Sequence, residues 1–418
     1  MEEISQNSQI SLDFNSDKLK PNNEAELQQI IKFCYRKDLP IEIIGTGSKT
    51  NIGKKLQCAK LLDMSNISGI VNYKPEELYI TVKAGTSFAF IQEELKKNNQ
   101  HLAFEPINFS QLFNGNSGEG TIGGTLSCNF SGSRRFKVGS ARDHILGFKG
   151  YNGKGEKIKS GGTVVKNVTG YDFSKLVTGS FGTLIVLSEV TLKVLPLPSD
   201  TKTIIISGLP LEHSLGVMGS ALSSSHDPSG AVFYPEHFRN NFIFNDLTHP
   251  GSITGIRVEG TKISTDKRID NLFEDLSMRN HKTTILDNTQ SAIFWEDTRA
   301  LKVFSKPENS LMRVVIPPAE TTNLINRLKT FHANHFFDWG GALVWLELDY
   351  LSYQKIEQIR QRVLDVGGYL TVIKSKDSLK DSAELFTIDP IKFKISQNIK
   401  KSFDPKRIFN PGRMYTGI

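Results

Sequence analysis

The chain has 418 residues, 38% hydrophobic and 23% charged, which is long enough for two domains and apolar enough for a substantial core. No apolar run approaches the roughly 20 residues that span a bilayer, so no transmembrane segment is expected. The formal charge of +7 is spread along the chain, apart from Arg134-Arg135-Phe136-Lys137 and the stretch 392–413, and reads as solvated surface with no nucleic-acid footprint. An anionic cofactor and an anionic substrate account for the same balance. The polar, acidic start reads as neither signal nor transit peptide. Three scattered cysteines, Cys34, Cys58 and Cys128, fit neither a disulfide framework nor a metal cluster, and suit a reducing cytoplasm.

A polar arm covers 1–22. Asn23-Glu24-Ala25-Glu26 then reads as a capping box that opens a helix, with Leu27, Ile30, Ile31 and Cys34 on one face. Leu39-Pro40 stops it, and 41–44 is a short strand running into a glycine loop. The stretch 78–82 predicts a strand, Ala84-Gly85-Thr86 a turn, and the spacing of Phe88, Ile91 and Leu95 a helix ending at Asn98-Asn99. Strand, turn and helix alternate up to Pro196, with Val164-Val165 and 183–194 strongly β-prone. The run 196–200 marks a domain boundary. Beyond it, strands at 203–207, 311–316 and 342–348 alternate with amphipathic helices at 321–331 and 353–366, which predicts an antiparallel sheet with helices on one face. The fold class is therefore α+β, with a first domain over 23–198, a cap domain over 199–385 and a turn-rich C-terminal segment over 386–418.

Glycine concentrates in three loops, 45–53, 118–124 and 179–183. It tolerates positive φ and has no side chain in the way, so several backbone N–H groups can converge on one phosphate. Two standard phosphate motifs fail on inspection. Gly53-Lys54 is followed by Lys55, which cannot hold the magnesium that a P-loop serine or threonine holds. Gly118, Gly120 and Gly123, with Asp143 beyond, spell the dinucleotide fingerprint, but 111–118 reads as no strand and 125–132 as a poor helix.

In order, the loops match something specific. From Asn23 to Pro196 the chain resembles the FAD-binding domain of the p-cresol methylhydroxylase/vanillyl-alcohol oxidase superfamily, and within it the FAD-binding subunits of glycolate oxidase. The stretches that carry the resemblance are Gly120 to Gly124, Val138 to Gly147, and Val165-Lys166-Asn167 through Gly170-Tyr171-Asp172 to Val186. It implies that Gly45, Thr46, Gly47, Ser48, Lys49 and Thr50 wrap the FAD pyrophosphate. Gly120, Thr121, Gly123 and Gly124 would line the pyrophosphate and ribityl chain, with Asn129 and Ser131 continuing that wall. Arg142 and Asp143 would make further cofactor contacts. Gly182 and Thr183 would lead into Ile185 and Val186 at the flavin or adenine end. The tail from Asp404-Pro405 to Asn410-Pro411-Gly412 would fold back beside the flavin ring, bringing Asn410 and Arg413 as the candidates nearest the chemistry. Asp338-Trp339-Gly340-Gly341-Ala342 and Trp345 resemble a strand of the glycolate-oxidase subunit, although on physical grounds these tryptophans read as core.

Departures from the family shape the rest. The first loop contains no histidine or cysteine to tether a flavin, so FAD is expected to be non-covalent. His332 and His335 lack the glycines and acid of the metal or substrate motif found in catalytic D-2-hydroxy-acid dehydrogenases, and no metal is expected. Thr46 stands where the family commonly has glycine. The implied reaction is oxidation of a 2-hydroxy acid such as glycolate, with hydride passing to the flavin. The implied partners are a catalytic flavoprotein subunit and an iron–sulfur subunit, in a cytoplasmic complex peripheral to the inner membrane. An arginine would clamp the substrate carboxylate, and Arg142, Arg313 and Arg413 are the candidates. A self-sufficient FAD-linked alcohol or sugar oxidase, and a scaffold that keeps the fold without cofactor, are the competing readings.

Overall fold

The computed structural model describes residues 13–113, 118–164, 170–242, 249–276, 281–304 and 306–418. Helix Glu24–Lys37 begins as its sequence requires. Asn23 Oδ1 accepts the Glu26 amide at 2.9 Å, while the Glu26 carboxylate accepts from Asn22 N and Asn23 Nδ2. Its buried face, Leu27, Ile30, Ile31 and Cys34, packs on a parallel sheet in which strand Lys60–Asp63 lies between Lys18–Leu19 and Ile41–Ile44. This small lobe exists to hold one thing in place: the chain leaving Ile44.

The second lobe is a five-stranded antiparallel sheet in the order Ile70–Lys74, Tyr79–Lys83, Val186–Lys193, Ile145–Tyr151, Lys157–Gly161. Helices Phe88–Lys96 and Ile122–Cys128 cover it, burying Phe88, Ile91, Leu95, Ile122 and Leu126. The second of these takes in the first half of 125–132, the stretch that reads as a poor helix, and stops at Cys128. Propensity is weak there, but Thr121 caps the helix, and Gly123 sits so close to Ala84 that a Cβ would meet its carbonyl oxygen at 2.8 Å. A helix thus does leave the Gly118–Gly123 loop. The antiparallel sheet beneath it is still not the parallel one a dinucleotide fold needs.

The cap is an eight-stranded sheet, antiparallel throughout, in the order Lys282–Leu286, Asp200–Ser207, Ile253–Gly260, Gly230–Tyr234, Asn334–Asp338, Leu343–Leu348, Ser310–Val315, Tyr369–Lys374. The helices do not all lie on one face. Leu211–Ser223 and Lys262–Asp275 pack on the side of Ile204, Ile206, Ile256 and Val258. Asn288–Arg299 packs on the other, where Gly230 and Gly255 leave room for Trp295 and Phe294; a Cβ at either glycine would come within 3.2 Å of those rings. Of the β-prone run at 164–165, Val165 lies outside the described residues, as do residues 166–169 of the Gly-Tyr-Asp stretch. Gly170 to Asp172 lead into the short helix Phe173–Val177. The C-terminal helix Pro390–Phe403 carries the chain back from the cap, and Phe409 then bridges Ile41 in the first lobe.

Candidate functional site

Between the two lobes of the first domain lies an open cleft. The strand Ile41–Ile44 delivers Gly45 to Thr50 to its mouth, and all six residues line it. The loop closes on itself through Thr50 N and Thr50 Oγ1, both donating to Gly47 O, with Gly47 at φ 80°. Among the described residues the N–H groups of Thr46, Gly47, Ser48 and Lys49 find no partner within the chain, which is what a phosphate nest requires. Gly45 approaches Thr121 so closely that a Cβ would lie 2.3 Å from its hydroxyl, so the first and second glycine loops meet only because position 45 is bare.

Thr121, Gly123 and Gly124 form the floor, and Ile43, Met64, Ala84, Ile185, Val186 and Leu187 an apolar wall suited to a large flat ring. Gly182, at φ 68°, stands against Asn410, whose Nδ2 a Cβ would approach to 2.8 Å. Asn410 stitches the tail across the cleft: its Nδ2 donates to Phe181 O at 2.7 Å and its Oδ1 accepts from Ile43 N at 2.8 Å. Arg413 also lines the cleft and pairs with Glu42 at 3.2 Å. Lys49 is half-buried near Cys128, its Nζ donating to Ser48 Oγ and Glu119 O; desolvation holds its ammonium below the usual lysine range.

The remaining expected residues sit elsewhere. Gly120 lies behind the first loop, where a Cβ would meet Ser48 Oγ at 2.5 Å. Asn129 ends helix Ile122–Cys128 in the left-handed conformation, Ser131 is buried opposite Pro106, and Thr183 bonds back to Ser180 O. Arg142 is exposed and Asp143 caps its own helix through Ser140; neither lines the cleft. Trp345 is core. Trp339 donates to Gly132 O at 2.9 Å, where it joins the cap to the first domain. His332 and His335 belong to a turn and a strand of the cap, and among the described residues no group of acids, histidines or cysteines has metal-binding geometry.

Two features escaped the sequence reading. The first is the buried pair Lys400–Asp404, 2.8 Å apart. Lys400 Nζ also donates to Thr183 O and Phe409 O, and Asp404 accepts from Ile408 N and Phe409 N, so one ion pair fastens the tail beneath the cleft. Its i,i+4 spacing ahead of Pro405 was the available signal. The second is a charged seam between the domains. Arg257 of the cap grips Glu105 at 3.0 and 3.3 Å and stacks on Trp295, while Arg134 grips Glu259 at 3.1 Å. Burial alone would push the Glu105 carboxyl up, but Arg257 and Arg134 outweigh it and hold it near about 2.

Arg313 breaks that pattern. It lies between the rings of Phe130 and Trp339, 5.8 and 5.1 Å from their centres, and its Nε is sealed from solvent without a partner among the described residues. Burial lowers its pKa to about 9, and nearby Arg135 adds to the effect.

These residues fit FAD: unpaired amides for phosphates, an aliphatic wall for the ring, and glycines where any side chain would fill the space. The comparisons agree. The FAD binding domain family matches residues 18–161. The fold aligns with 4-ethylphenol oxidase from Gulosibacter chungangensis (TM-score 0.69, 13% identity, 96% of this chain and 89% of that one) and with p-cresol methylhydroxylase (TM-score 0.65, 14% identity, 96% and 88%). The fold is thus of the p-cresol methylhydroxylase type, and the cleft within it fits FAD. The chain is 30% identical to the glycolate oxidase subunit GlcE of Escherichia coli strain K12 over 95% of its own length and 98% of that relative. It belongs to the GlcE family of glycolate oxidase subunits.

Proposed function

We propose that the chain is the FAD-binding subunit of a 2-hydroxy-acid dehydrogenase complex of the glycolate oxidase type, with glycolate or a close relative as substrate. FAD, when bound, supplies the hydride acceptor. Gly45 to Thr50 hold its phosphates, Thr121, Gly123 and Gly124 its ribityl chain, and Ile185, Val186 and Asn410 its ring end. The cofactor is held without a covalent bond: among the described residues no histidine lines the cleft, and burial raises the pKa of Cys128, which disfavours the thiolate that such a bond would need. A catalytic flavoprotein subunit and an iron–sulfur subunit complete the complex. Among the described residues no helix is long and apolar enough to cross a membrane, in keeping with a cytoplasmic assembly that touches the inner membrane only peripherally.

The observation that carries the substrate class is Arg313. Of the three candidate clamps, Arg413 lines the cleft but is tied to Glu42, Arg142 is exposed outside it, and Arg313, also outside the cleft lining, is a half-buried cation with a sealed Nε and no ion pair or hydrogen bond among the described residues. A carboxylate is the partner such a site lacks. Anaerobic titration of the flavin-loaded complex with glycolate tests this. Arg313→Met should slow flavin bleaching by glycolate at least 100-fold while leaving reduction by dithionite intact; an unchanged glycolate rate sinks the assignment. A second reading, in which the chain holds FAD and relays electrons without meeting the acid, is favoured by Phe130 and Phe181, whose rings stand between Arg313 and the cleft.

A further inference from the structure

The cap reaches the glycine loops of the first domain through an arginine. Helix Asn288–Arg299 ends on Arg299, whose carbonyl oxygen accepts from Asn108 N at 3.0 Å. Its Nη1 and Nη2 each donate to one oxygen of the Glu119 carboxylate at 2.9 Å, while Glu296, a turn back on the helix, takes Nε and Nη2. A two-pronged grip of this kind fixes the plane of a carboxylate as well as its position. Glu119 itself belongs to the second glycine loop, beside Gly120. Its backbone oxygen accepts from Lys49 Nζ of the first loop at 3.3 Å, so Glu119 joins the cap to the cofactor site.

Lys49 lines the cleft but has no carboxylate partner among the described residues. Its Nζ rests on two neutral oxygens, Glu119 O and Ser48 Oγ, the second at 3.2 Å. Desolvation dominates and lowers its pKa. The ammonium stands against the loop whose amides at 46–49 lack partners, and Gly120 leaves it room: a Cβ there would come within 2.9 Å of Nζ. A unit charge in such a partly desolvated place is weakly screened and is felt by any anion seated on those amides. The Glu119 carboxylate would cancel that charge if it turned inward. It is carried by the residue whose backbone Lys49 touches, and Arg299 holds it on the cap side.

We propose that Arg299 is a positioning residue of the cofactor site. By holding the Glu119 carboxylate on the cap, it leaves the Lys49 ammonium un-neutralised, and that charge draws the cofactor's pyrophosphate onto the amide nest. The proposal rests on the reading of the cleft as an FAD site; it adds the charge that site uses and the residue of the cap that controls it. Arg299 never meets the cofactor. Without it, Glu119 is free to turn toward Lys49, and an open second cleft lined by Glu119, Glu296 and Arg299 gives the side chain room to move. The resulting ion pair would remove the attraction that the phosphates need. A clasp that merely pins the cap to the loop has no such dependence on Lys49, and this separates the two roles.

The test titrates the full-length chain, stripped of flavin, with FAD and follows the quenching of flavin fluorescence. Lys49→Met and Arg299→Met should each raise Kd about tenfold or more. The two losses should not add: in the Lys49→Met background, Arg299→Met should change Kd by less than about threefold, because no charge is left to cancel. Glu119→Gln should restore the affinity of Arg299→Met, since an amide cannot neutralise Lys49. The salt dependence of Kd should flatten alike in Lys49→Met and Arg299→Met. Arg299→Lys, which keeps the cation but grips one oxygen, supplies the same ordering on a smaller scale where the methionine variant does not fold. An Arg299→Met loss of equal size with and without Lys49 overturns the proposal. So does an Arg299→Met/Glu119→Gln chain that binds FAD no better than Arg299→Met. Unchanged FAD affinity in Arg299→Met defeats the positioning role alone. A wild-type chain that takes up no FAD defeats the reading of the cleft and this role with it. Flavin that binds but is not bleached by glycolate defeats the substrate assignment alone.

Discussion

The flavin cleft and the seam between the domains solve opposite electrostatic problems. In the cleft, backbone amides are left without partners among the described residues and side chains are removed, as the proposed phosphate site requires. In the seam, Glu105, Arg134, Arg257 and Glu259 answer one another's charges across the domain interface, with Ser229 taking the remaining Arg257 donors, although the same four residues also line a second cleft. Incompleteness is thus a signature of binding in this molecule, and completeness of structure. Arg313 stands out by that measure: it lies at the seam but is unpaired like the cleft.

The sharpest way to break the contrast is at the Lys400–Asp404 pair, which is complete like the seam but serves the cleft. Removing one partner of a buried pair typically costs 3–5 kcal/mol, because the other charge stays buried alone. Lys400→Met should therefore release the tail, free Thr183 O and Phe409 O, and weaken FAD binding about 100-fold or more, measured by flavin release on dilution. Lys400→Met combined with Asp404→Leu should recover most of the melting temperature but little of the FAD affinity, since Ile408 N and Phe409 N stay unheld. Equal recovery of both would show that the pair has no role beyond stability.

Arg257→Met probes the seam itself. It leaves Glu105 and Glu259 facing each other across the interface, and a loss of about 3 kcal/mol is expected in chemical denaturation, with FAD content unchanged below the transition. The pH dependence carries the sign. The Glu105 carboxyl is held low in the folded state, near about 2, so its contribution is present above its unfolded pKa and lost as pH falls toward about 2. In Arg257→Met that acid limb should flatten.

How much of this was legible beforehand follows from the same contrast. The convergence of the glycine loops was readable because close backbone approach needs glycine at fixed places in the chain, and Gly45, Gly47, Gly123, Gly124 and Gly182 all reach the cleft. Asn410 and Arg413 were readable because two prolines and a glycine stiffen their turn. Arg142 and Asp143 lie outside the cleft lining, and Asp143 instead closes a capping box with Ser140, a role that draws on the same residue type as a ligand contact. The seam was invisible, since Glu105 and Arg257 are 152 residues apart and neither belongs to a local pattern. The helix Ile122–Cys128 was missed because tertiary packing, through the close approach of Gly123 to Ala84, outweighs its weak propensity.

The smallest expected effect, and the finest test of the contrast, is at Asp338. It accepts from Ser133 Oγ at 2.8 Å and from Trp339 N at 2.7 Å, yet burial outweighs both bonds and raises its pKa to about 7. An acid whose folded pKa lies above its unfolded value binds more protons when folded, so stability declines as pH rises from about 4 through 7. Asp338→Asn keeps the acceptor for Trp339 N and cannot ionise. Wild type and variant should therefore melt closest together at or below pH 4, and the variant should gain on the wild type by about 2–3 kcal/mol between pH 5 and 8, a few degrees in a chain of this length. If the two curves stay parallel from pH 5 to 8, Asp338 is paired in solution more fully than its two bonds suggest. The nearby Arg313 would then have its counter-ion already, and its claim to an incoming carboxylate would fall with it.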